Sequence, residues 1–424
     1  MDRDRARWFF ILMPVLVFWI VASIDKLGVS VIVTNRGFLQ DMGLLGNPAA
    51  IGLLGTVFSV TYGSCSYFWG FIVDRIGPRW AAIGAATIWG VTMIIGGLAG
   101  SYGMVLVSRL LLGVGEGALY AVSNKFVGNW FERRQRGRAQ AMWVLGGPLG
   151  PVIGVPMLVA AMALWSWRGA FFLLAALSLL LVVPLILFLT RDAPEGGVAA
   201  ATAPTAERQD GAAAIAGVPK SFGELVGLFR FWAIVAAFLM GSFGFSGLAF
   251  WLPSYLRTER HFPTEVMAGW ASMSWLLAVI AVIVTGWLAD RTQRPALMGV
   301  VVCSIAAIAL LVAALTANPS LAAAMLAVGL AMINSESTLC QVLVLNICGP
   351  QLVGRGAGIM TGTGNLIGGF SAVIIGWIVA MSAGSFIAGV LFLMACMALT
   401  AVAFSAIAFG HEITASRRVA AMPA

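Results

Sequence analysis

The sequence predicts an all-α integral membrane protein with twelve transmembrane helices in two pseudo-symmetric six-helix halves. Three observations indicate this fold class. First, 60% of the 424 residues are hydrophobic and 10% are charged, whereas soluble domains carry about 25% charged residues. Second, apolar stretches of about 20 residues, long enough to cross a bilayer, recur along the chain. Third, one charged turn between two apolar stretches occurs twice.

The two copies of this turn are separated by a constant offset of 216 positions. Residues 70–79 read G-F-I-V-D-R-I-G-P-R, and residues 286–294 read G-W-L-A-D-R-T-Q-R. The positions that the copies share are Gly70 with Gly286, Asp74 with Asp290, and Arg75 with Arg291. The second copy departs from the first after its Asp-Arg pair. A repeat of this kind is typical of membrane proteins built from two homologous halves.

We expect six helices on each side of a central polar segment. The predicted helices are Trp8–Thr34, Ala50–Val73, Trp80–Gly100, Met104–Phe126, Arg138–Leu164, Gly169–Thr190, Phe231–Tyr255, Glu265–Ala289, Ala296–Thr316, Ser320–Ile347, Gly356–Ser382 and Ser385–Phe409. The central segment, Asp192–Val226, contains a low-complexity stretch that cannot bury a core. The predicted organisation is a first bundle at 1–190, a cytoplasmic linker at 191–228 with a surface helix near Phe222–Phe229, a second bundle at 229–410 and a cytoplasmic tail at 411–424.

The basic residues are distributed by topology, so the net charge of +8 does not indicate nucleic-acid binding. Most of the 25 basic residues fall on one predicted side of the membrane. The six on the other side are Lys26, Arg36, Arg109, Arg168, Arg257 and Arg260. By the positive-inside rule the richer side and both termini are cytoplasmic. The chain is therefore expected to be a multi-pass protein of the cell inner (plasma) membrane.

Cysteine and histidine usage argues against a metal site or a disulfide. None of the five cysteines forms a C-x-x-C pair, and both histidines lie at predicted helix ends. No nucleophile–base set is apparent either. We therefore expect neither a cofactor nor an enzymatic activity, and we expect the chain to be a monomer.

Five charged residues fall inside predicted helices, where charge is costly and indicates function by default. Arg109 and Glu116 lie seven residues apart, almost two turns, and so share one face of helix 4. Asp25 and Lys26 are adjacent and point about 100° apart, so they cannot share one contact. For Arg109 and Glu116, the alternatives are a permanent ion pair that locks helix 4 to a partner and a part in proton coupling. For Asp25 and Lys26, they are a self-neutralising pair and an arrangement in which one side chain faces the cavity and the other faces helix 4 or helix 2.

The fifth charged residue, Glu336, lies in a polar part of helix 10. Asn334, Ser337, Thr338 and Gln341 follow i, i+3, i+4, i+7 spacing and so form a polar stripe. Such a stripe lines either a water-filled path or a hydrogen-bonded helix–helix seam. We expect it to face the cavity, and Glu336 and Gln341 are candidate substrate-binding residues.

The turn pattern G-x-x-x-D-R-x-G-x-R resembles the loop signature of the major facilitator superfamily. Further segments resemble its anion:cation symporter branch, which includes proton-coupled carriers of sugar acids and other organic anions. They are Asp25-Lys26 in helix 1, Arg109, Gly113 and Glu116 in helix 4, the connector from Asn129 to Ala139, Trp167-Arg168, Trp251 to Tyr255, and Gly364 to Gly368. Two departures are Lys26 in place of the usual arginine and Ser23 in place of a frequent tyrosine.

This resemblance implies roles for individual residues. Lys26 would bind a substrate carboxylate, with Tyr62 and Asn365 as further cavity ligands. Asp25 and Glu116 would take up protons, and Arg109 would tune Glu116. The gating residues would be Asp74, Arg75, Arg79, Asp290 and Arg291. Asp74 would bridge to Arg134, Arg136 or Arg138, or to a helix N-terminus.

The implied function is import of a small organic anion, a sugar acid or an aromatic or other monocarboxylate, together with protons. Two alternatives stay open. The segment from Gly146 to Gly154 contains G-x-x-x-G-P-x-x-G, which resembles a signature of drug/proton antiporters, although glycine and proline also serve close helix packing. The other alternative is a transporter-like ligand sensor. The expected partners are the organic anion, protons and the lipid bilayer, with no nucleic acid.

Overall fold

The structure, a computed structural model, describes residues 7–131, 133–193, 219, 221–348 and 352–420. Within these ranges it contains helices and no strands, and eleven helices are long and apolar enough to cross a membrane. One of them, Arg138–Leu189, is 52 residues long and is broken at Ser166, where φ is 73°. The break divides it into two spans, so the predicted fold class of twelve helices is confirmed.

We number the spans α1 to α12. They are α1 Trp8–Ile32, α2 Pro48–Ile76, α3 Pro78–Gly97, α4 Tyr102–Trp130, α5 and α6 before and after the break in Arg138–Leu189, α7 Phe229–Glu259, α8 Thr264–Ala289, α9 Pro295–Leu315, α10 Pro319–Val344, α11 Gly356–Met381 and α12 Ile387–Phe409. The α12 helix continues beyond its apolar part to Ala420. A short helix at Phe222–Val226 precedes α7. Most of the linker expected at 191–228 lies outside the described residues.

Local sequence explains where several helices begin. Proline occupies the first turn of α2, α3, α9 and α10, where its missing N–H would have no partner within the helix. The side chain of Asn47 accepts the Ala50 amide at the start of α2, and Asn318 caps α10 in the same way. These starts lie within two residues of the predicted ones.

Glycines let the helices of the first half pack closely around α4 and α1. Gly113 of α4 lies against the main chain of Phe58 and Tyr62 in α2, where no Cβ would fit. Gly146, Gly150 and Gly154 of α5 lie in the same way against α1. Small residues at helix interfaces are the usual means of close approach in membranes.

The two halves contact each other along α2 and α11. The hydroxyl of Thr56 donates to the carbonyl of Gly369 at 3.0 Å and accepts the amide of Val373 at 3.2 Å. Further along α2, the hydroxyl of Tyr67 lies against Gly362. These contacts therefore join the halves from the end of the bundle near Asn47 to a point past the middle of α2.

The opposite end of the bundle, which carries the turn at Gly77, is named the turn face below. On this side of Glu116, α4 exposes Tyr120 (49% exposed) and Asn124. On the other side, α4 buries Arg109 and Leu112 completely.

At the other end, one carboxylate in each half, the exposed Asp41 and the half-buried Glu259, fastens neighbouring helices, so we name this end the clasp face. Asp41 accepts the Trp167 indole N–H and an Arg168 guanidinium N–H, both at 2.9 Å, at the start of α6. These two donors hold the pKa of Asp41 below its usual range. In the second half, Glu259 accepts the Phe386 amide at 2.8 Å and the Ser385 hydroxyl at 3.3 Å, at the start of α12.

Candidate functional site

Asp25 and Lys26 of α1 point to different surroundings, as their adjacent positions require. Asp25 is fully buried and its Oδ2 accepts the hydroxyl of Ser178 at 3.1 Å, while its Oδ1 has no hydrogen-bond partner. Ser178 lies in a π-helical turn of α6, Leu177–Val182, a kind of irregularity frequent at functional sites. Lys26 is only half-buried, and its Nζ lies 4.8 Å from the Tyr62 ring centroid and 5.7 Å from that of Phe58.

Arg109 connects α4 to α1 without a direct ion pair. Its guanidinium donates to the main-chain carbonyl of Asp25 at 3.3 Å and to the sulfur of Met93 at 3.5 Å. Neither the Asp25 nor the Glu116 carboxylate lies within the 4 Å ion-pair distance of the Arg109 guanidinium. The alternative of a permanent ion pair that locks α4 to a neighbouring helix therefore has no contact to support it.

Glu116 is the most isolated of the buried charges. Its side chain is fully buried, and neither carboxylate oxygen has a hydrogen-bond partner. Its charged neighbours are Lys26, Asp25 and Arg109. A buried carboxylate without hydrogen bonds is costly. Protonation of the Glu116 carboxylate would lower this cost, and so would the approach of a cation to it.

An aromatic wall completes the first-half cluster on the side of Lys26. The rings of Phe58 and Tyr62 stack at 5.8 Å with an interplanar angle of 22°. Tyr120 extends the wall towards the turn face and packs edge-on against Trp19 at 4.9 Å. The predicted residues Asp25, Lys26, Tyr62, Arg109 and Glu116 are therefore brought together.

The predicted second-half residues divide into two environments. Gln341 and Asn365 are both half-buried, as are the other members of the polar stripe on α10. Asn365 lies in the part of α11 that Gly63 of α2 contacts. Glu336 is instead 2% exposed; its Oε1 accepts the Cys340 thiol at 2.9 Å, and its other oxygen lies against Gly241 of α7. Glu336 therefore packs between α10 and α7, away from the half-buried polar stripe.

The turn-face residues are distributed differently from the prediction. Asp74 pairs with Lys125 of α4 at 2.6 Å, and not with Arg138, which is exposed; the side chains of Arg134 and Arg136 lie outside the described ones. Arg79 donates to the Leu187 carbonyl at 2.6 Å and so fastens α3 to α6. Arg75 and Arg291 are exposed, the latter 5.4 Å from the Trp287 ring, and the Asp290 side chain lies outside the described ones.

We expect Asp74→Asn to reach the membrane in normal amounts but to turn over more slowly, because the Asp74–Lys125 pair holds the end of α2 to α4. Lys125→Gln should reproduce the effect, and the double variant should add nothing. A cysteine placed at Met142 should become more reactive to thiol reagents. Arg138→Gln, which removes an exposed charge from the same face, is the control. Normal turnover with unchanged labelling would show that the charged turn only orients the chain.

The sequence analysis did not identify two residues that contact this region, Ser178 and Trp69. Ser178 interrupts an apolar stretch, S-L-L-L-V-V, which could have marked it as a polar contact inside a helix. Trp69 donates its indole N–H to the carbonyl of Val114 at 2.6 Å. No sequence signal distinguishes this tryptophan from the other aromatic residues of α2.

Comparisons with known proteins place the chain in one family. Residues 9–373 match the family described as the Major Facilitator Superfamily. A hexuronate transporter of Bacillus subtilis is 29% identical over 66% of this chain, and a probable sulfoacetate transporter, SauU, of Cupriavidus necator is 27% identical over 66%. These alignments span 65% and 64% of the two relatives, just under two thirds of each.

A third relative and two solved structures cover more of the chain. A probable L-galactonate transporter of Escherichia coli is 24% identical over 85% of this chain and 80% of its own. A D-xylose–proton symporter has a TM-score of 0.76 at 13% identity, covering 93% of this chain and 97% of its own. A bacterial homologue of the human lysosomal transporter Spinster, inward-facing and occupied, has a TM-score of 0.75 at 18% identity, covering 96% of both chains. The chain belongs to the Major Facilitator Superfamily, a family of multi-pass membrane transporters and not of enzymes.

Proposed function

We propose that the protein imports a small organic anion together with protons by alternating access. One observation carries this proposal: the half-buried Lys26 faces an aromatic wall beside two buried carboxylic acids, one of them without any hydrogen bond. A lysine ammonium at the edge of accessible space can receive a carboxylate. The names of the relatives, which transport hexuronates, galactonate and sulfoacetate, support an acidic substrate.

Charge balance favours coupling to protons. The cluster holds two acids, Asp25 and Glu116, and two bases, Lys26 and Arg109, so it is neutral when all four are ionised. A substrate carboxylate that binds Lys26 adds one negative charge to a region where uncompensated charge is expensive. Protonation of Glu116 or Asp25 restores neutrality. The cluster with one bound substrate and one added proton therefore has the lowest electrostatic free energy during a conformational change.

For the second half, we propose that Gln341 and Asn365 complete the substrate site as neutral ligands. Both are half-buried on the elements that border the interior, α10 and α11. Glu336 would instead support packing between α7 and α10, because it has no free approach from the stripe. The substrate would then lie between the halves 1–190 and 229–410, as is usual for transporters built from repeats.

The arginine-rich turn face would be cytoplasmic, with both termini on that side, by the positive-inside rule. The contacts between the halves near Asn47 and the exposure of Tyr120 then correspond to an inward-facing state. In this proposal Asp74 and Arg75 act at the cytoplasmic mouth. Arg79 would act there through its hydrogen bond to the Leu187 carbonyl of α6.

A drug/proton antiporter is the second candidate, on the glycine-proline pattern of α5. The structure gives that pattern a packing role, because Gly146, Gly150 and Gly154 lie against Trp19, Ser23 and Ile24 of α1. Because helix packing accounts for these glycines, the pattern is weaker support for antiport. A sensor role has no specific observation in its favour.

Purified protein in liposomes tests the proposal. Labelled galacturonate, galactonate and sulfoacetate are offered outside, at an external pH one unit below the internal pH, with a protonophore as the control. We expect uphill accumulation of one of these acids, abolished by the protonophore. Accumulation only when the gradient is reversed would indicate antiport. Counterflow exchange without any response to the gradient would contradict proton coupling.

A further inference from the structure

The fourth transmembrane helix is irregular immediately after Glu116, although the backbone of Gly117 and Ala118 stays right-handed helical; this irregularity is called the break below. Its two parts are Tyr102–Glu116 and Leu119–Trp130, joined by a turn at Gly117 and Ala118. The Ala118 amide donates to the carbonyl of Gly115 at 3.3 Å, one residue short of the α-helical partner. The carbonyl of Val114 therefore lacks the amide that it would accept in a continuous helix.

Trp69 of α2 supplies the missing donor. Its indole N–H lies 2.6 Å from the Val114 carbonyl oxygen, and the side chain is 7% exposed. Broken helices are tolerated at membrane depth when a neighbouring group satisfies the freed backbone atom. Gly117 lies against Cys65, Ser66 and Trp69, so the main chain of α2 lies directly against the turn. Contacts with α2 therefore stabilise the break in α4.

The position of the break matters because of the residue beside it. Glu116 is the last residue of the first part of α4, and its carboxylate has no hydrogen bond of its own to orient it. Its direction relative to Lys26 and Arg109 depends on the backbone that carries it. Trp69 does not bond to the carboxylate, and it can influence Glu116 only through the Val114 carbonyl.

We propose that Trp69 is a positioning residue for proton coupling, because its hydrogen bond to Val114 fixes the break in α4 and thereby the direction of the Glu116 carboxylate. The proposal rests on the proposed function, in which Glu116 takes up a proton. Loss of the bond should loosen the break and separate protonation of Glu116 from substrate movement. Substrate exchange, which needs no net proton transfer, should persist.

The structure offers a matched control in Trp89 of α3. Its indole packs against Gly115 from the other side of α4 and is fully buried, yet its N–H has no hydrogen-bond partner. Trp69→Phe and Trp89→Phe therefore make the same chemical change on opposite sides of one turn of α4. Only the first removes a hydrogen bond.

Two measurements on reconstituted protein test the proposal. Hydrogen exchange of the peptide that spans Val114–Leu119 should be about fivefold faster in Trp69→Phe, as expected for one lost hydrogen bond, and unchanged in Trp89→Phe. Proton-driven accumulation should fall about fivefold or more in Trp69→Phe, while counterflow exchange stays near wild type. Equal losses of accumulation and exchange, or unchanged hydrogen exchange, would overturn the proposal.

A second substitution distinguishes loss of the hydrogen bond from a general folding defect. Benzothienylalanine at position 69 keeps the shape of tryptophan and replaces the N–H with sulfur, so the packing of α2 is preserved. It should behave as Trp69→Phe does, whereas Trp69→His, which keeps a ring N–H, should recover part of the accumulation. Normal coupling with benzothienylalanine would overturn the proposal. Failure of the proposed function itself would be visible separately, as wild-type protein that exchanges substrate without responding to the proton gradient.

Discussion

Glu116→Gln is expected to abolish proton-driven accumulation while leaving counterflow exchange. The amide has the shape of the protonated acid, so the buried site keeps its packing but can no longer gain or lose a proton. For one proton per monovalent anion, each pH unit sustains about tenfold accumulation. The variant should therefore bring the accumulation ratio close to one. Uptake of labelled substrate into liposomes against an imposed pH gradient measures it.

Asp25→Asn should have the same effect, because Asp25 is the other buried acid of the cluster and its Oδ1 also lacks a partner. Glu336→Gln is the matched control for both. Glu336 is equally a buried carboxylic acid inside a spanning helix, but it lies in the second half between α10 and α7. We expect Glu336→Gln to accumulate substrate at close to the wild-type ratio. Undiminished accumulation in both first-half variants would remove them from the coupling role.

Lys26→Gln is expected to lose most substrate binding, whereas Lys26→Arg should retain part of it. The ammonium would make a charge-assisted contact to the substrate carboxylate, and such contacts are worth about 1.5–3 kcal/mol, or about 10- to 150-fold in affinity. Arginine keeps the charge, but its planar fork is larger and has to fit beside the stacked Tyr62 and Phe58 rings. Isothermal titration of the purified variants with the transported acid measures the loss.

The control for this series is Arg138→Gln, which removes an exposed cation from the turn face, away from the cluster. Its affinity should stay within about twofold of wild type, as is usual for an exposed charge. If Lys26→Gln bound the substrate normally, the carboxylate site would have to lie elsewhere. Arg109 would be the next cation to test, although it is fully buried behind the Asp25 carbonyl.

Helix number, helix order and the grouping of buried charges followed from the sequence because each depends on a one-dimensional pattern. Apolar length gives the spans, and the spacing of Arg109 and Glu116 gives their shared face. The breaks at Ser166 and Gly117 could not be predicted in this way, because the apolar pattern continues through both. The Val114 carbonyl is satisfied by a side chain from another helix, which no local pattern encodes.

The sequence analysis did not identify Lys125 as a partner of Asp74 for a related reason. The predicted fourth helix, Met104–Phe126, includes Lys125, but no pattern along the chain shows which residue of that helix faces Asp74. Only the packing of α4 against α2 brings Lys125 within reach of Asp74. The surroundings of Glu336 on α10 likewise could not be predicted from the local sequence. Its helical phase differs from that of the polar stripe, and its contact with Gly241 depends on how α7 packs.

The two clasp carboxylates bear on the ancestry of the chain. Asp41 and Glu259 are 218 positions apart, and so are Trp167 and Ser385, and Arg168 and Phe386. In both halves an acid near the first helix therefore binds the same two positions at the start of the sixth, although none of the donor side chains is shared. Such a correspondence is what duplication of a six-helix unit would leave. The place of the acid and the place of its target coincide in the two halves, whereas the donor groups differ.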